Sequence, residues 1–208
     1  MGLVVGARIP SERAEVTRRG VAASLLLASV CAAGGFWAGR RLPGRAVLSD
    51  WVGARPPDLS SVAEPLLAAA KEFRLDESLL QGMVAAESGG NRKARSRAGA
   101  VGLLQLVPET AAEQAKALRL DPASIDLTDP ATNLRLGARY FAWLLDLFAG
   151  DVPFAVAAYN AGPEPVKRWR LRAPDASPTD VLRREAYPET RRHVERVLKF
   201  REQYRAQR

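Results

Sequence analysis

Hydrophobic residues along the chain follow three patterns. Residues 1–19 are polar, with Arg8, Arg13, Arg18 and Arg19 against Glu12 and Glu15. Residues 20–39, GVAASLLLASVCAAGGFWAG, carry no charge and are bracketed by Arg18-Arg19 and Arg40-Arg41. From residue 61 onward, apolar positions recur at helical spacing and no stretch alternates with period two. Asp76 fits the N-cap of a helix whose apolar face is Leu80, Met83 and Val84, and Gly89-Gly90 stops it. Pro108 opens a second helix running through Glu109 to Leu118. Asp129-Pro130 starts a third, with Leu134, Gly137, Phe141, Leu144, Leu145 and Phe148 in register. Asp151 caps VPFAVAAYN, which ends at Gly162-Pro163. A final helix runs from Pro188 to Tyr204, with His193, Val194, Val197 and Leu198 on one side. The expected fold class is all-α.

The uncharged segment sets the expected location. Helical residues rise 1.5 Å each, so residues 20–39 would reach about 30 Å, one hydrocarbon thickness. Half of them are Gly or Ala, which makes membrane insertion marginal. The segment reads either as an uncleaved transmembrane anchor or as a secretory signal. In the second reading Val21 to Val30 is the apolar core and small residues follow around Cys31-Ala32-Ala33. Lipidation of Cys31 is the weaker variant, because Ala28-Ser29-Val30 matches a lipobox poorly. Each reading exports the remainder of the chain, tethered at the inner membrane or released beyond it. Residues 40–60, broken by Pro43-Gly44 and Pro56-Pro57, read as a linker. Residues 61–208 are long enough to bury one core.

Composition narrows the chemistry. A chain that is 47% hydrophobic and 26% charged is globular rather than disordered. With one cysteine and one histidine, His193, it has neither an intrachain disulfide nor a Cys/His zinc site of the usual ligand count. An EF-hand reading of residues 121–129 fails for want of the required glycine. A Ser-His-Asp hydrolase would have to use His193, and no GxSxG elbow accompanies it. No metal or organic cofactor is implied. The net charge of +8 suits anionic partners. Nucleic acid is not expected among them, since no helix-turn-helix, RNP-like strand or aromatic-interleaved basic stripe is present.

What remains is carried by carboxylates, hydroxyls and amides, and Glu87 stands out. It lies seven residues after Leu80 and four after Met83, on the apolar face of its helix and in the last turn. It is either a solvated acid at a fraying helix end or a desolvated carboxyl. In the second case burial and the negative end of the helix dipole both raise its pKa, as a general acid needs. From Ser88 to Pro108 there is no other acid. Glycosidases with paired carboxylates need a second one within roughly 5–10 Å, so a sugar-cleaving Glu87 would act alone, with the substrate supplying the nucleophile. Arg92, Lys93, Arg95 and Arg97 form either a solvated basic loop or a rim that attracts an anionic polymer. Tyr159 fits a core aromatic, Asn160 a helix C-cap and Glu189 a first-turn acid as readily as they fit a site.

Four blocks occur in order: Ala86-Glu87-Ser88 with Asn91, Ser96 and the run Gly99-Ala100-Val101-Gly102-Leu103-Leu104-Gln105-Leu106-Val107-Pro108; Asp129-Pro130 with Asn133, Gly137 and Tyr140; Ala157-Ala158-Tyr159-Asn160-Ala161-Gly162-Pro163; and Pro188-Glu189-Thr190-Arg191 with Val194. Together they resemble the catalytic domain of the soluble lytic transglycosylases, a lysozyme-like family, over roughly residues 65–200. The resemblance implies that Glu87 is the single catalytic glutamate, acid and then base. It implies that Ser96, Gln105, Tyr159, Asn160 and Glu189 line the sugar groove. The implied reaction cleaves the β-1,4 bond of peptidoglycan glycan strands between N-acetylmuramic acid and N-acetylglucosamine, leaving a 1,6-anhydro end. Rival readings on the same scaffold are a hydrolytic goose-type muramidase and a non-catalytic glycan-binding module of an envelope complex. The chain departs from the family pattern at several places. Leu104 and Val107 stand where methionine is common, trading flexible groove surface. Gly90 replaces a larger residue, Arg92 a proline, and His193 the usual tyrosine.

Overall fold

A computed structural model describes residues 55–208, and among these the regular structure is helical. The helices are α1 (Ala63–Glu72), α2 (Glu77–Ser88), α3 (Pro108–Ala117), α4 (Pro130–Leu147), α5 (Val152–Ala161), α6 (Pro163–Arg172), α7 (Pro178–Glu185) and α8 (Pro188–Arg205). Extended pairing is limited to two isolated bridges, Arg95 with Val101 and Val101 with Leu106. Among the described residues no helix is long and apolar enough to cross a membrane. The expected anchor or signal at 20–39 lies outside the described residues.

The helix starts follow from short polar side chains. Asp76 accepts from the amides of Ser78 and Leu79, Asp129 from Thr132, Asp151 from Phe154 and Ser177 from Asp180. Each satisfies an amide that the first turn leaves without a backbone partner. Proline in the first turn of α3 to α8 reinforces these starts. Helices α1, α6 and α7 are not among the helices expected individually from the sequence, although α1 buries Leu66, Ala69 and Ala70 at helical spacing. In α6 only Pro163, Val166 and Trp169 are buried, and in α7 only Val181 and Leu182.

Helix α2 packs along α8 and against α1, α1 lies on α4, and α5 joins α4, α6 and α8. The core between them holds Leu80, Met83 and Val84 of α2, Phe141 of α4, Val156 of α5 and Val197 of α8, all fully buried. A smaller cluster of Leu106, Ala111, Ala115 and Leu136 seals α3 to α4. Residues 57–60, which the Pro56-Pro57 breaker assigns to the linker, pack into the domain. The Tyr204 hydroxyl donates to the Pro57 carbonyl at 2.6 Å, and Leu59 is buried. A proline breaks a helix without stopping an extended segment from docking.

The α2–α8 contact is tight enough to be tested by one carbon atom. A Cβ on Gly82 would lie 2.7 Å from the Val197 carbonyl oxygen and 2.9 Å from the Arg201 amide nitrogen, both backbone atoms of α8. Alanine in a helix interior normally gains about 0.5–1 kcal/mol over glycine, but overpacking against an unyielding backbone costs about 1–3 kcal/mol. The second effect wins. Gly82→Ala is therefore expected to lower the denaturation midpoint, and a raised midpoint would show that α8 yields without cost.

Candidate active site

Glu87 sits in the last turn of α2, and Gly89, with φ of +63°, ends the helix directly after it. The chain then makes a compact loop from 89 to 107 that folds back over the helix end. Ser96 ties one side of this loop: its hydroxyl accepts from the Ala100 amide at 3.0 Å and its own amide donates to the Ala100 carbonyl at 2.9 Å. Val101 and Leu106 exchange amide–carbonyl bonds at 2.9 and 3.1 Å. At Gly102, with φ of +82°, any Cβ would run into the Asn133 side chain and the Leu127 carbonyl. That explains the glycine inside the GAVGLLQ run.

Gln105 has a positive φ of 44°, uncommon for a residue with a side chain. Its amide nitrogen donates to the carbonyls of Gly102 at 2.9 Å and Ala94 at 3.3 Å. Both N–H groups are thus taken by backbone, and the side-chain oxygen is what remains to offer a ligand. The Tyr159 hydroxyl donates to the Leu104 carbonyl at 2.8 Å, pinning the loop to α5. Tyr140 stands 5.3 Å from the Tyr159 ring and Trp143 stacks beyond it at 5.9 Å. Together they form an aromatic wall. Asn160 accepts from the buried Thr190 hydroxyl at 2.8 Å, which fixes α5 to the start of α8.

These elements enclose one groove. Glu87, Gln105, Tyr159 and Asn160 line it, joined by Leu106, Val107, Thr110, Tyr140 and Gly162. Glu87 is the only carboxylate among the described residues that line it. Of the other two residues expected in the groove, Ser96 ties the loop behind it and Glu189 lies to the side on α8, near Arg196. Leu104, read from the sequence as groove surface, is fully buried and faces Gly137 of α4; Val107 is the one of the pair that lines the groove. Tyr140 and Thr110 add lining that side-chain chemistry along the sequence did not single out. Among the described residues no three His, Cys, Asp or Glu side chains gather where they could hold a metal ion.

The electrostatics of Glu87 are set from behind. Its side chain is 15% exposed, toward the groove, and the His193 side chain packed against it is 3% exposed. Burial pushes the Glu87 carboxyl up to about 8, with the nearby Arg196 guanidinium pulling the other way. Glu87 is therefore mostly protonated at neutral pH. Burial, followed by the proximity of Glu87 and Tyr140, raises the Tyr159 phenol further, so it stays a neutral donor. Burial, followed by repulsion from Arg196, pushes His193 down to about 3, and the imidazole is neutral. From the sequence His193 is visible only as an apolar-face histidine where the family has tyrosine. Arg196 shares its face three residues on, and that spacing is the sole sequence signal for the pair.

The helical arrangement is the lysozyme-like fold. The family model of the Transglycosylase SLT domain matches residues 64–181, and the chain belongs to that family. The soluble lytic murein transglycosylase of Escherichia coli is 32% identical over 134 residues, covering 63% of this chain and 21% of its own. The transglycosylase of Enterobacteria phage PRD1 is 39% identical over 99 residues, covering 48% and 34%. Among solved structures, the lytic transglycosylase Slt of Pseudomonas aeruginosa, an inactive mutant, aligns with a TM-score of 0.61 at 34% identity, covering 66% of this chain and 23% of that one. A 70-kDa soluble lytic transglycosylase in complex with bulgecin A aligns with a TM-score of 0.65 at 28% identity, covering 69% and 24%. The match thus spans about a fifth to a third of the length of these relatives.

Proposed function

We propose that this domain cleaves the β-1,4 bond between N-acetylmuramic acid and N-acetylglucosamine in peptidoglycan by transglycosylation, with Glu87 as acid and then base. One observation carries the reading: a carboxyl that holds its proton to about pH 8 opens into a groove with no second carboxylate among its described lining. Two-carboxylate hydrolysis, inverting or retaining, needs a partner that this groove does not supply. In the first half of the reaction Glu87 gives its proton to the glycosidic oxygen as the bond to the muramic anomeric carbon breaks. In the second half the muramic C6 hydroxyl oxygen bonds to that carbon and its proton returns to Glu87. The acid is regenerated, no water is consumed, and the new end is a 1,6-anhydro sugar.

The groove suits this division of labour. Tyr140 and Tyr159 offer ring faces to sugar rings. The Gln105 oxygen and the pinned Asn160 amide offer polar contacts, with Ser96 and Glu189 acting from the loop and from α8. The net charge of +8 favours residence near an anionic wall, an attraction that salt weakens. The relatives include both soluble and membrane-bound enzymes by name. The uncharged stretch at 20–39 supports an exported enzyme, tethered to the inner membrane or released after signal cleavage.

Mass spectrometry of the fragments released from purified peptidoglycan by the full chain tests the reaction. Anhydro ends are the expected product. Reducing ends on every fragment would replace the proposal with a muramidase, and binding without any release would replace it with a glycan-binding module.

A further inference from the structure

Behind Glu87, on the side away from the groove, α8 presents two side chains that the reaction above does not use. His193 Nε2 lies 3.4 Å from Glu87 Oε1. On the far side of the same ring, Nδ1 lies 3.4 Å from an Arg196 Nη2. The imidazole is buried, and Nε2 has no hydrogen-bond partner among the described residues, the Glu87 oxygen being the acceptor it approaches. An arginine only donates, so an imidazole nitrogen facing one must accept and can carry no proton. A neutral imidazole has a single N–H, which then resides on Nε2, aimed at the carboxyl. The 3.4 Å separation is long for an N–H···O bond, as such contacts often are before substrate binds.

We propose that Arg196 fixes His193 in its Nε2–H tautomer and that His193 thereby donates to Oε1 of Glu87, serving as the positioning residue of the acid. The proposal rests on the reading of Glu87 as the acid. It assigns the two carboxyl oxygens different work. Oε1 accepts from His193 in both protonation states, so the proton resides on Oε2, toward the leaving oxygen. When that proton has gone, the Nε2–H steadies the carboxylate left behind. A tyrosine hydroxyl can rotate its proton among several acceptors, whereas this imidazole has its donor direction set by the guanidinium. The charged and titratable groups around Glu87 are consistent with such an array: His193 and Arg196 from α8 and Tyr159 from α5, with Tyr140 of α4 behind Tyr159. Glu189 and Arg192, also on α8, act on Arg196.

The chain contains a single histidine, so its ring nitrogens are identifiable without assignment. Long-range 1H–15N correlation on the untagged, 15N-labelled full chain, at several values from about pH 5 to 8, reads the tautomer directly. The expected result is a neutral ring protonated at Nε2 throughout. An Nδ1–H tautomer, or an imidazolium within that window, overturns the proposal. Kinetics add a second readout. Removing a donor to the charged form raises the pKa of the acid. His193→Phe is therefore expected to move the alkaline limb of the rate profile to higher pH and to lower kcat about tenfold with KM little changed, since His193 does not line the groove. His193→Gln, whose amide nitrogen can take the place of Nε2–H, is expected to restore most of both. An unmoved limb in His193→Phe overturns the positioning role. Should the tautomer be as stated while all products carry reducing ends, the array stands and the transglycosylase reading falls.

Discussion

Glu87→Gln is expected to abolish strand cleavage and, at the same time, to make the protein more stable at alkaline pH. Glutamine keeps the shape of the side chain and its acceptor oxygen, but has no proton to give. General acid–base catalysis contributes about 10²–10⁴-fold. Since Glu87 is proposed to serve in both halves of the reaction, the loss should lie at the upper end of that range.

The stability change follows from where the proton sits. In the unfolded chain the carboxyl ionises near its ordinary value of 4.5; folded, it keeps its proton to about 8, chiefly because it is buried. Between those values the unfolded state has released a proton that the folded state retains, so stability falls as pH rises through the window and levels off above it. The shift corresponds to at most ~5 kcal/mol. Water reaching the 15% exposed side chain reduces this. A glutamine has no such dependence. Melting curves of parent and variant should nearly coincide at about pH 5 and separate by several degrees at about pH 8, the variant melting higher. A variant that still cleaves, or whose melting advantage shrinks as pH rises, removes Glu87 from the role assigned to it. In the parent, cleavage should decline above about pH 8 as the acid form is lost.

That Glu87 shares the apolar face of its helix is legible in the sequence because helical spacing is local. Its burial is not, since a fraying helix end would leave the same position solvated. Leu80, Met83 and Glu87 share a face whatever packs against it, and Asp76 and Gly89 bound the helix by chemistry confined to one turn. The caps at Asp129 and Asp151 are legible for the same reason. Helices α1, α6 and α7 are not. Each is short and buries only a few side chains, as with Val166 and Trp169 in α6, so its apolar spacing repeats too few times to stand out along the chain. The site divides along the same line. Gln105, Tyr159 and Asn160 reach the groove where the block order implied them, but nothing local to Ser96 says that its hydroxyl turns inward to Ala100. No pattern along α2 reveals that His193, more than a hundred residues later, will meet Glu87. That meeting depends on Gly82 letting α8 come close.

Asn133→Ala should inactivate the protein by the opposite route, through loss of stability. Asn133 is on α4 far from Glu87 in sequence, and it is 0% exposed. Its oxygen accepts from the Leu104 amide at 2.9 Å, and its nitrogen donates to the carbonyls of Val101 at 2.9 Å and Leu127 at 3.0 Å. One side chain thus satisfies three backbone groups of the strandless loop that carries Gln105 and receives Tyr159. Truncation leaves the Leu104 amide and the Leu127 carbonyl without a partner, while the Val101 carbonyl keeps its bond from the Leu106 amide. Each orphaned buried group costs about 1–3 kcal/mol, less where water can enter the space vacated. A total of about 2–4 kcal/mol is expected, enough to shift a denaturant midpoint clearly. Asn133→Asp separates the two halves of the effect: it can still accept from Leu104 but donates to neither carbonyl, and should recover less than half of the loss. An unshifted midpoint in the alanine variant would mean that other bonds hold the loop. Measured beside Glu87→Gln, the sign of the stability change tells the acid from its scaffold: both variants lose cleavage, but only one of them loses the fold.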